Sequence, residues 1–208
     1  MSLFGVVLLL NICIILPVLT PDNRTFSVIS GIVTFFVFLA FFFASCKDAG
    51  TLKPIDNFTF LELLRDINPA DLCPECQVIR TARSRHCAIC NQCVERFDHH
   101  CPWINNCVGI NNHNAFIMFL VAIWVKIIYH LAVDLYGLYL AIDDLKCDTT
   151  ECREMCFYCD VKPVYLTSCS ICLLICLFYL LLSSSLIYIH ALNYFANRTT
   201  NERLSKKR

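Results

Sequence analysis

The sequence predicts an all-α integral membrane protein with four transmembrane helices and a cysteine-rich domain between the second and the third. Three observations favour this class. Of the 208 residues, 57% are hydrophobic, which is more than an ordinary soluble domain contains. The apolar residues are concentrated in four long stretches. Seven of the 16 cysteines lie between Cys73 and Cys107, in the longest polar segment.

Each apolar stretch is long enough to cross a membrane as a helix, which takes about 20 residues. The predicted spans are residues 3–19, 28–45, 115–142 and 164–195. The first two form a hairpin over residues 1–45, and the last two form a hairpin over residues 115–196. The first stretch could instead be a cleaved signal peptide. We expect it to be retained, because no basic region precedes it and no clear cleavage site follows.

Basic residues are distributed unevenly, and this predicts the orientation. The segment 46–114 and the tail, residues 197–208, carry most of the arginines and lysines. The positive-inside rule therefore places both of them, and the N-terminus, in the cytosol. We expect a multi-pass protein of the endomembrane system, in the endoplasmic reticulum or the Golgi. The formal net charge is zero, so we expect no nucleic-acid partner.

The cysteines and histidines of segment 46–114 predict bound zinc. Cytosolic thiols stay reduced, so metal binding is favoured there over disulfides. Zinc takes four thiolate or imidazole ligands, and a Cys-x2-Cys pair supplies two from one tight turn. Apart from His99 and Cys101, the array from Cys73 to Cys107 offers eight ligands, enough for two closed sites: Cys73, Cys76, His86, Cys87, Cys90, Cys93, His100 and Cys107. We expect loops and short hairpins held by zinc, and no internal repeat.

Four more cysteines lie in the loop 143–163, which the predicted orientation places in the lumen. Secretory compartments are oxidising, so disulfides are favoured here, although the spacing does not determine their pairing. The four are Cys147, Cys152, Cys156 and Cys159.

The segment Asp98-His99-His100-Cys101 combines a carboxylate, two imidazoles and a thiol. Alternate side chains of an extended segment share a face, so His99 and Cys101 point one way and His100 the other. His100 can then bind zinc while His99 takes the proton of the Cys101 thiol. Asp98 falls on the His100 side of an ideal strand, so a turn is needed before it can orient His99. The alternative role for Cys101, a ninth zinc ligand, is disfavoured by the eight others.

These residues give the chain a resemblance to the DHHC-type protein S-acyltransferases, or palmitoyltransferases. The resemblance is carried by the run from Asp98 to Gly109 and by the order of spans and cysteine-rich domain. It implies two structural zinc ions. The first would be held by Cys73, Cys76, His86 and Cys93, and the second by Cys87, Cys90, His100 and Cys107.

The resemblance also implies a ping-pong acyl transfer. Cys101 would attack a long-chain acyl-CoA, with His99 as base and Asp98 orienting it, and would pass the acyl group to a cysteine of a membrane-associated protein. Trp103 would line the mouth of an acyl cavity among the helices. Thr200, in the run Thr199-Thr200-Asn201-Glu202, would support Asp98.

Three arginines, Arg80, Arg83 and Arg85, could bind the coenzyme A phosphates, as basic residues at similar positions do in the family. Their alternative partner is anionic lipid at the membrane surface. The chain departs from the family at Asp48-Ala49-Gly50, where Ala49 replaces a proline, and we expect looser packing there. Since the tail ends at Arg208, an accessory subunit could complete the enzyme.

Lys126, His130 and Asp134 lie four residues apart in the third span and form one polar stripe on a helix. The stripe could shorten or polarise the acyl cavity. It could also link neighbouring helices, and we favour this second interpretation.

The alternative function is a catalytically silent, zinc-containing membrane adaptor. An adaptor has no need of Asp98, His99 and Cys101 together, so their presence favours the enzyme.

Overall fold

The computed structural model describes residues 24–54, 59–143 and 162–205. Its helices are α1 (Arg24–Cys46), α2 (Phe60–Asp66), α3 (His113–Asp143), α4 (Lys162–Phe195) and α5 (Thr200–Ser205), with a 3-10 turn at Pro69–Asp71. Its strands are β1 (Leu72–Cys73), β2 (Val78–Ile79), β3 (Arg85–Cys87), β4 (Gln92–Val94), β5 (His99–Cys101) and β6 (Asn106–Val108).

Within the described ranges, three helices are long and apolar enough to span a membrane: Thr25–Cys46, His113–Tyr139 and Leu166–Phe195. They coincide with the second, third and fourth predicted spans. The first predicted span and the four cysteines predicted to face the lumen lie outside the described residues.

The strands correct the all-α prediction. The cysteine-rich domain contains three antiparallel hairpins, each formed by two consecutive strands. Each strand has only two or three residues. Segments this short show no period-two pattern of hydrophobicity, so sequence periodicity does not detect them.

The three hairpins repeat every 14 residues, which also corrects the expectation of no repeat. Cys73, Cys87 and Cys101 each precede a four-residue turn at the same place in their hairpin. Each turn ends on a residue with positive φ: Gln77 at 54°, Asn91 at 49° and Asn105 at 49°. The pairing repeats as well, because His86 lies opposite Cys93 as His100 lies opposite Cys107.

The described residues divide into two compact units. The membrane unit comprises residues 24–37, 122–143 and 162–185. The site unit comprises residues 38–54, 59–121 and 186–205, and includes all three hairpins.

In the membrane unit, the polar stripe of α3 contacts two other helices. Lys126 is 1% exposed, and its ammonium donates a hydrogen bond to Thr34 Oγ1 of α1 at 2.6 Å. The Cys176 thiol of α4 donates to Asp134 at 3.7 Å. His130 is buried between these two positions. The bonds favour the interpretation that the stripe links helices, as buried polar groups in membranes commonly do.

In the site unit, the segment after α1 is tightly held, so the expectation of looser packing at Asp48-Ala49-Gly50 is wrong. Ala49 is fully buried against Cys87, Val94 and Cys107. The Asp48 carboxylate accepts hydrogen bonds from the Gly50 and Thr51 amides at 2.9 and 3.1 Å. This side-chain turn fixes the backbone that the proline would have restricted.

Gly109 tests this packing. A Cβ at this position would overlap the Ala49 carbonyl oxygen and a methyl group of Val94. We expect Gly109→Ala to destabilise the site unit by about 1–3 kcal/mol, as overpacking does. The measurement is the thermal unfolding of the purified chain, monitored through the release of bound zinc. The matched control is Gly31→Ala, because a Cβ on Gly31 would meet no atom within 4 Å. Equal stability of the two variants would contradict the prediction.

Candidate active site and metal clusters

Two groups of four side chains in the site unit could each hold a metal ion. The first metal cluster is Cys73, Cys76, His86 and Cys93, and the second is Cys87, Cys90, His100 and Cys107. In each cluster the four ligand atoms lie within 4.8 Å of one another. These are the two groups that the resemblance implies.

The spacing within the clusters fits zinc. His86 Nδ1 lies 3.2, 3.6 and 3.9 Å from the sulfurs of Cys76, Cys73 and Cys93. In the second cluster, His100 Nδ1 lies 3.2 Å from Cys90 Sγ and 3.8 Å from Cys107 Sγ. Ligand atoms around a tetrahedral zinc are separated by about 3.5–3.8 Å, given its bond lengths to sulfur and nitrogen. Thiolate and imidazole are also the ligands that zinc prefers.

The repeat explains why the ligands interleave. Each cluster joins the turn cysteines of one hairpin to the paired histidine and cysteine of the next hairpin. Among the residues that the structure describes, no further hairpin follows the third one. Its turn carries Cys101 at the first cysteine position and the buried Ile104 at the second. Cys101 therefore occupies the position that a cysteine of a metal cluster occupies in the first two hairpins, but has no thiol partner in its own turn.

The turn of the third hairpin keeps the hydrogen bonds of a metal-binding turn. The amides of Trp103 and Ile104 donate to the Cys101 sulfur, as those of Ile89 and Cys90 donate to Cys87. Amide donors stabilise a thiolate. Burial opposes ionisation of Cys101, but the bonds from His99 and from these amides outweigh it and lower the pKa of the thiol.

Asp98, His99 and Cys101 form one hydrogen-bonded line. Asp98 Oδ2 and His99 Nδ1 are 2.7 Å apart, and the His99 side chain is also hydrogen-bonded to that of Cys101. Asp98 precedes β5 and follows a turn in which Arg96 has a φ of 47°. Because Asp98 lies outside the strand, its side chain need not follow the alternation of faces that an ideal strand imposes. It can therefore reach the ring of His99.

Charge within this line favours an imidazolium beside a thiolate. Burial lowers the pKa of His99, but the hydrogen bonds and charges of Asp98 and Cys101 outweigh it and raise that pKa to about 9. Asp98 is only 2% exposed, yet hydrogen bonds from His99 and from Thr200 overcome the effect of burial and hold the pKa of its carboxyl below the ordinary value. The line can therefore carry a proton between a thiol and an imidazole.

The chain after α4 returns to hold the carboxylate. The Thr200 amide donates to Asp98 Oδ1 at 2.5 Å, and Asn193 Nδ2 donates to Thr200 Oγ1 at 3.1 Å. Thr200 thus contacts Asp98 through its backbone, at the first residue of α5. Asn193 was not predicted as a site residue, since it lies inside an apolar stretch.

The predicted arginines have other partners. The Arg83 guanidinium binds both oxygens of Glu202, at 2.5 and 2.8 Å, and Arg80 donates to the carbonyls of Ala70 and Leu72. Arg85 is exposed and donates to the Ser84 carbonyl. Through its bonds to Glu202, Arg83 helps to fix the start of α5, where the Thr200 amide bonds Asp98.

Trp103, which the resemblance places at the mouth of the acyl cavity, is 70% exposed.

The Arg83–Glu202 pair gives a prediction. The pair fixes the first turn of α5, whose Thr200 amide bonds Asp98. We therefore expect Arg83→Ala and Glu202→Gln to slow the acylation that the resemblance implies by a similar factor of about 3 to 10, and the double variant to be no slower. A role of Arg83 in binding coenzyme A would instead raise the KM for acyl-CoA in Arg83→Ala alone. The control is Arg203→Ala, an exposed arginine of the same helix as Glu202.

A third group of side chains, Asp98, His99 and His190, also has its ligand atoms within 4.8 Å of one another. His190 was not predicted as a site residue. Its sequence signal is weak, because it is one imidazole near the end of a long apolar stretch.

Comparisons with known proteins agree with this geometry. A family model described as DHHC palmitoyltransferase matches residues 66–207. Palmitoyltransferase ZDHHC3-A of Danio rerio is 36% identical over 141 residues, covering 62% of this chain and 42% of the relative. Palmitoyltransferase ZDHHC9 of Homo sapiens is 37% identical over 150 residues, covering 72% and 38%. Palmitoyltransferase Hip14 of Drosophila melanogaster is 40% identical over 97 residues, covering 43% and 15%. The chain spans less than half the length of each of these relatives.

Proposed function

Because this chain belongs to the DHHC palmitoyltransferase family, we propose that it is a protein S-acyltransferase. It moves a long-chain acyl group, palmitoyl in our proposal, from acyl-CoA to cysteine thiols of membrane-associated proteins. The observation that carries this proposal is the hydrogen-bonded line from Asp98 through His99 to Cys101. A thiol, a base and an orienting carboxylate in that order are the groups that nucleophilic acyl transfer requires.

In the first half-reaction, His99 takes the proton of Cys101 and the thiolate attacks the carbonyl carbon of the acyl-CoA thioester. The tetrahedral intermediate collapses when its bond to the coenzyme A sulfur breaks. The imidazolium of His99 returns the proton to that leaving thiolate, and Asp98 stabilises the imidazolium meanwhile. The product is an acyl thioester on Cys101 and free coenzyme A.

In the second half-reaction, the acceptor cysteine gives its thiol proton to His99 and attacks the acyl group on Cys101. The bond to the Cys101 sulfur breaks, and Cys101 leaves as a thiolate that the adjacent imidazolium and the turn amides stabilise. This is the ping-pong sequence, with one thioester exchanged for another. No net energy input is needed, since both bonds are thioesters.

The two metal clusters are proposed to hold one structural zinc each. Each offers four protein ligands, which leaves no open position for chemistry. Bound zinc would contribute folding free energy, because strands of two or three residues and little apolar core cannot hold the hairpins alone.

Other parts of the proposal rest on the family. Trp103 is exposed and would meet the acyl chain at the membrane surface, and Arg80 and Arg85 would contact the coenzyme A phosphates. Arg83 is a weaker candidate for that contact, since Glu202 neutralises it. The cysteine-rich domain and both termini would face the cytosol of the endoplasmic reticulum or the Golgi, and an accessory subunit could assist.

A chase experiment tests the function. The purified chain is loaded with alkyne-palmitoyl-CoA, freed of unreacted donor, and mixed with a myristoylated peptide that contains one cysteine. We expect hydroxylamine-labile label to leave the chain and appear on the peptide, and no transfer to a serine version of the peptide. A chain that takes up no label would support the silent adaptor. A loaded chain that transfers only when fresh donor is present would contradict the ping-pong order.

A further inference from the structure

The group formed by Asp98, His99 and His190, here called the third metal cluster, has the composition of an exchangeable transition-metal site. Sites with two imidazoles, one carboxylate and a fourth, open position bind zinc in many proteins. The three ligand atoms lie within 4.8 Å of one another. Closing around an ion would require side-chain shifts of about 1 Å, given the ligand separations around tetrahedral zinc.

His190 is the residue of this cluster that the acyl-transfer mechanism does not use. It is 6% exposed, and its Nδ1 has no hydrogen-bond partner among the described residues. Its ring lies 5.9 Å from the ring of His99 and 5.3 Å from that of Phe116, centroid to centroid. A buried polar atom without a hydrogen-bond partner lowers the stability of the fold. Because Nδ1 of His190 has no such partner, the ring can turn this nitrogen toward an ion without losing a hydrogen bond of that atom.

The other two members of the cluster, Asp98 and His99, are also placed so that they could bind an ion. The Thr200 amide holds Asp98 Oδ1, which leaves Oδ2, the oxygen now bonded to His99, for an ion. Hydrogen bonds of this kind to a ligating carboxylate are typical of metal sites. The His99 side chain is 30% exposed, so an ion can reach the cluster from solvent. His100 points to the second metal cluster, on the opposite face of β5.

We propose that the third metal cluster reversibly binds one divalent transition-metal ion of the Zn²⁺ class, and that the bound ion blocks acylation of Cys101. The inhibition rests on the proposed acyl transfer, whereas the binding does not. With three protein ligands instead of four, the site binds more weakly than the two structural clusters and exchanges its ion.

The ion inhibits by replacing a proton. It bonds to Asp98 and to a ring nitrogen of His99, and so displaces the proton that these side chains share to solvent. With the ion on that nitrogen, the neutral His99 ring keeps its one proton on its other nitrogen. That nitrogen therefore cannot accept the proton of the Cys101 thiol, and Asp98 no longer orients the ring. Removal of the ion by a chelator of moderate affinity restores both groups.

Metal titration of the purified 208-residue chain, starting with two tightly held zinc ions, tests the proposal. We expect a third equivalent of Zn²⁺ to bind, and acylation by alkyne-palmitoyl-CoA to fall in parallel with its occupancy. Mg²⁺ is the control ion, because it prefers oxygen ligands and should neither bind nor inhibit. Absence of a third equivalent would overturn the proposal, whether or not the chain is an acyltransferase.

Single substitutions test which side chains bind the third equivalent of Zn²⁺. We expect His190→Phe and His190→Gln to weaken the third equivalent by about 100-fold or more, since even supporting residues of metal sites contribute 10- to 100-fold. Inhibition is scored against each variant's own metal-free rate, and two retained zinc ions show that each variant is folded. Cys101→Ser keeps the three ligands and should keep the third equivalent. If Cys101→Ser loses the third equivalent of Zn²⁺ and both His190 variants retain it, the ion is bound by the thiol, and the proposal is overturned. Tyr194→Phe, an exposed residue of α4, is the matched control.

Discussion

Replacing Cys101 with serine is expected to reduce hydroxylamine-labile acylation of the chain by more than about 100-fold. A hydroxyl at this position lacks the acidity of a thiol, and neither His99 nor the turn amides can make it a comparable nucleophile. Cys101 belongs to neither structural cluster, so the variant should keep both zinc ions. The measurement is in-gel fluorescence after reaction with alkyne-palmitoyl-CoA, with zinc content determined on the same sample.

The matched control for this prediction is Cys46→Ser, since Cys46 is an exposed cysteine outside both clusters. Cys46→Ser should take up as much label from alkyne-palmitoyl-CoA as the chain without a substitution. Label that persists in Cys101→Ser and disappears in Cys46→Ser would assign the acyl group to Cys46. Loss of zinc in Cys101→Ser would revive the role of Cys101 as a ligand.

Replacing Cys93 with serine is expected to remove one zinc ion and unfold the hairpins of the site unit. Cys93 is fully buried and pairs with His86 across the second hairpin, so its loss opens the first metal cluster. Structural zinc contributes about 10–16 kcal/mol in small domains, which exceeds the net stability of most folds. We expect acylation to fall to background, and trypsin to cleave the segment around Arg83 and Arg85 rapidly.

Zinc content distinguishes this outcome from a local effect. Cys93→Ser should hold at most one ion per chain, and Cys107→Ser should lose the ion of the second cluster instead. Cys46→Ser should hold two. A Cys93→Ser chain with two ions and normal protease resistance would contradict the assignment of the first cluster.

The sequence was sufficient to predict the membrane-spanning helices and to identify the eight candidate metal ligands. Three of the predicted spans coincide with helices of suitable length, because length and apolar composition decide such spans. The grouping of the eight metal ligands followed from the resemblance, and the structure brings the same groups together. The cause is the 14-residue hairpin repeat, which is present in the sequence but hidden by substitutions such as Ile104 for cysteine.

Long-range contacts could not be predicted from the sequence. The bond between Thr200 and Asp98 joins residues that are 102 positions apart, and the Arg83–Glu202 pair joins residues 119 apart. No local pattern shows that an arginine beside the metal ligands pairs with the tail. His190 and Asn193 were missed for a related reason: in an apolar stretch, only the fold shows which polar side chains face the site.

Mass-spectrometric location of the acyl group tests the central claim most directly. The chain is reacted with palmitoyl-CoA, digested, and analysed with and without hydroxylamine. We predict a palmitoyl thioester on Cys101 that hydroxylamine removes and that a cysteine-containing acceptor peptide discharges. An acyl group found only on another cysteine, or a modified Cys101 that no acceptor thiol discharges, would contradict the account.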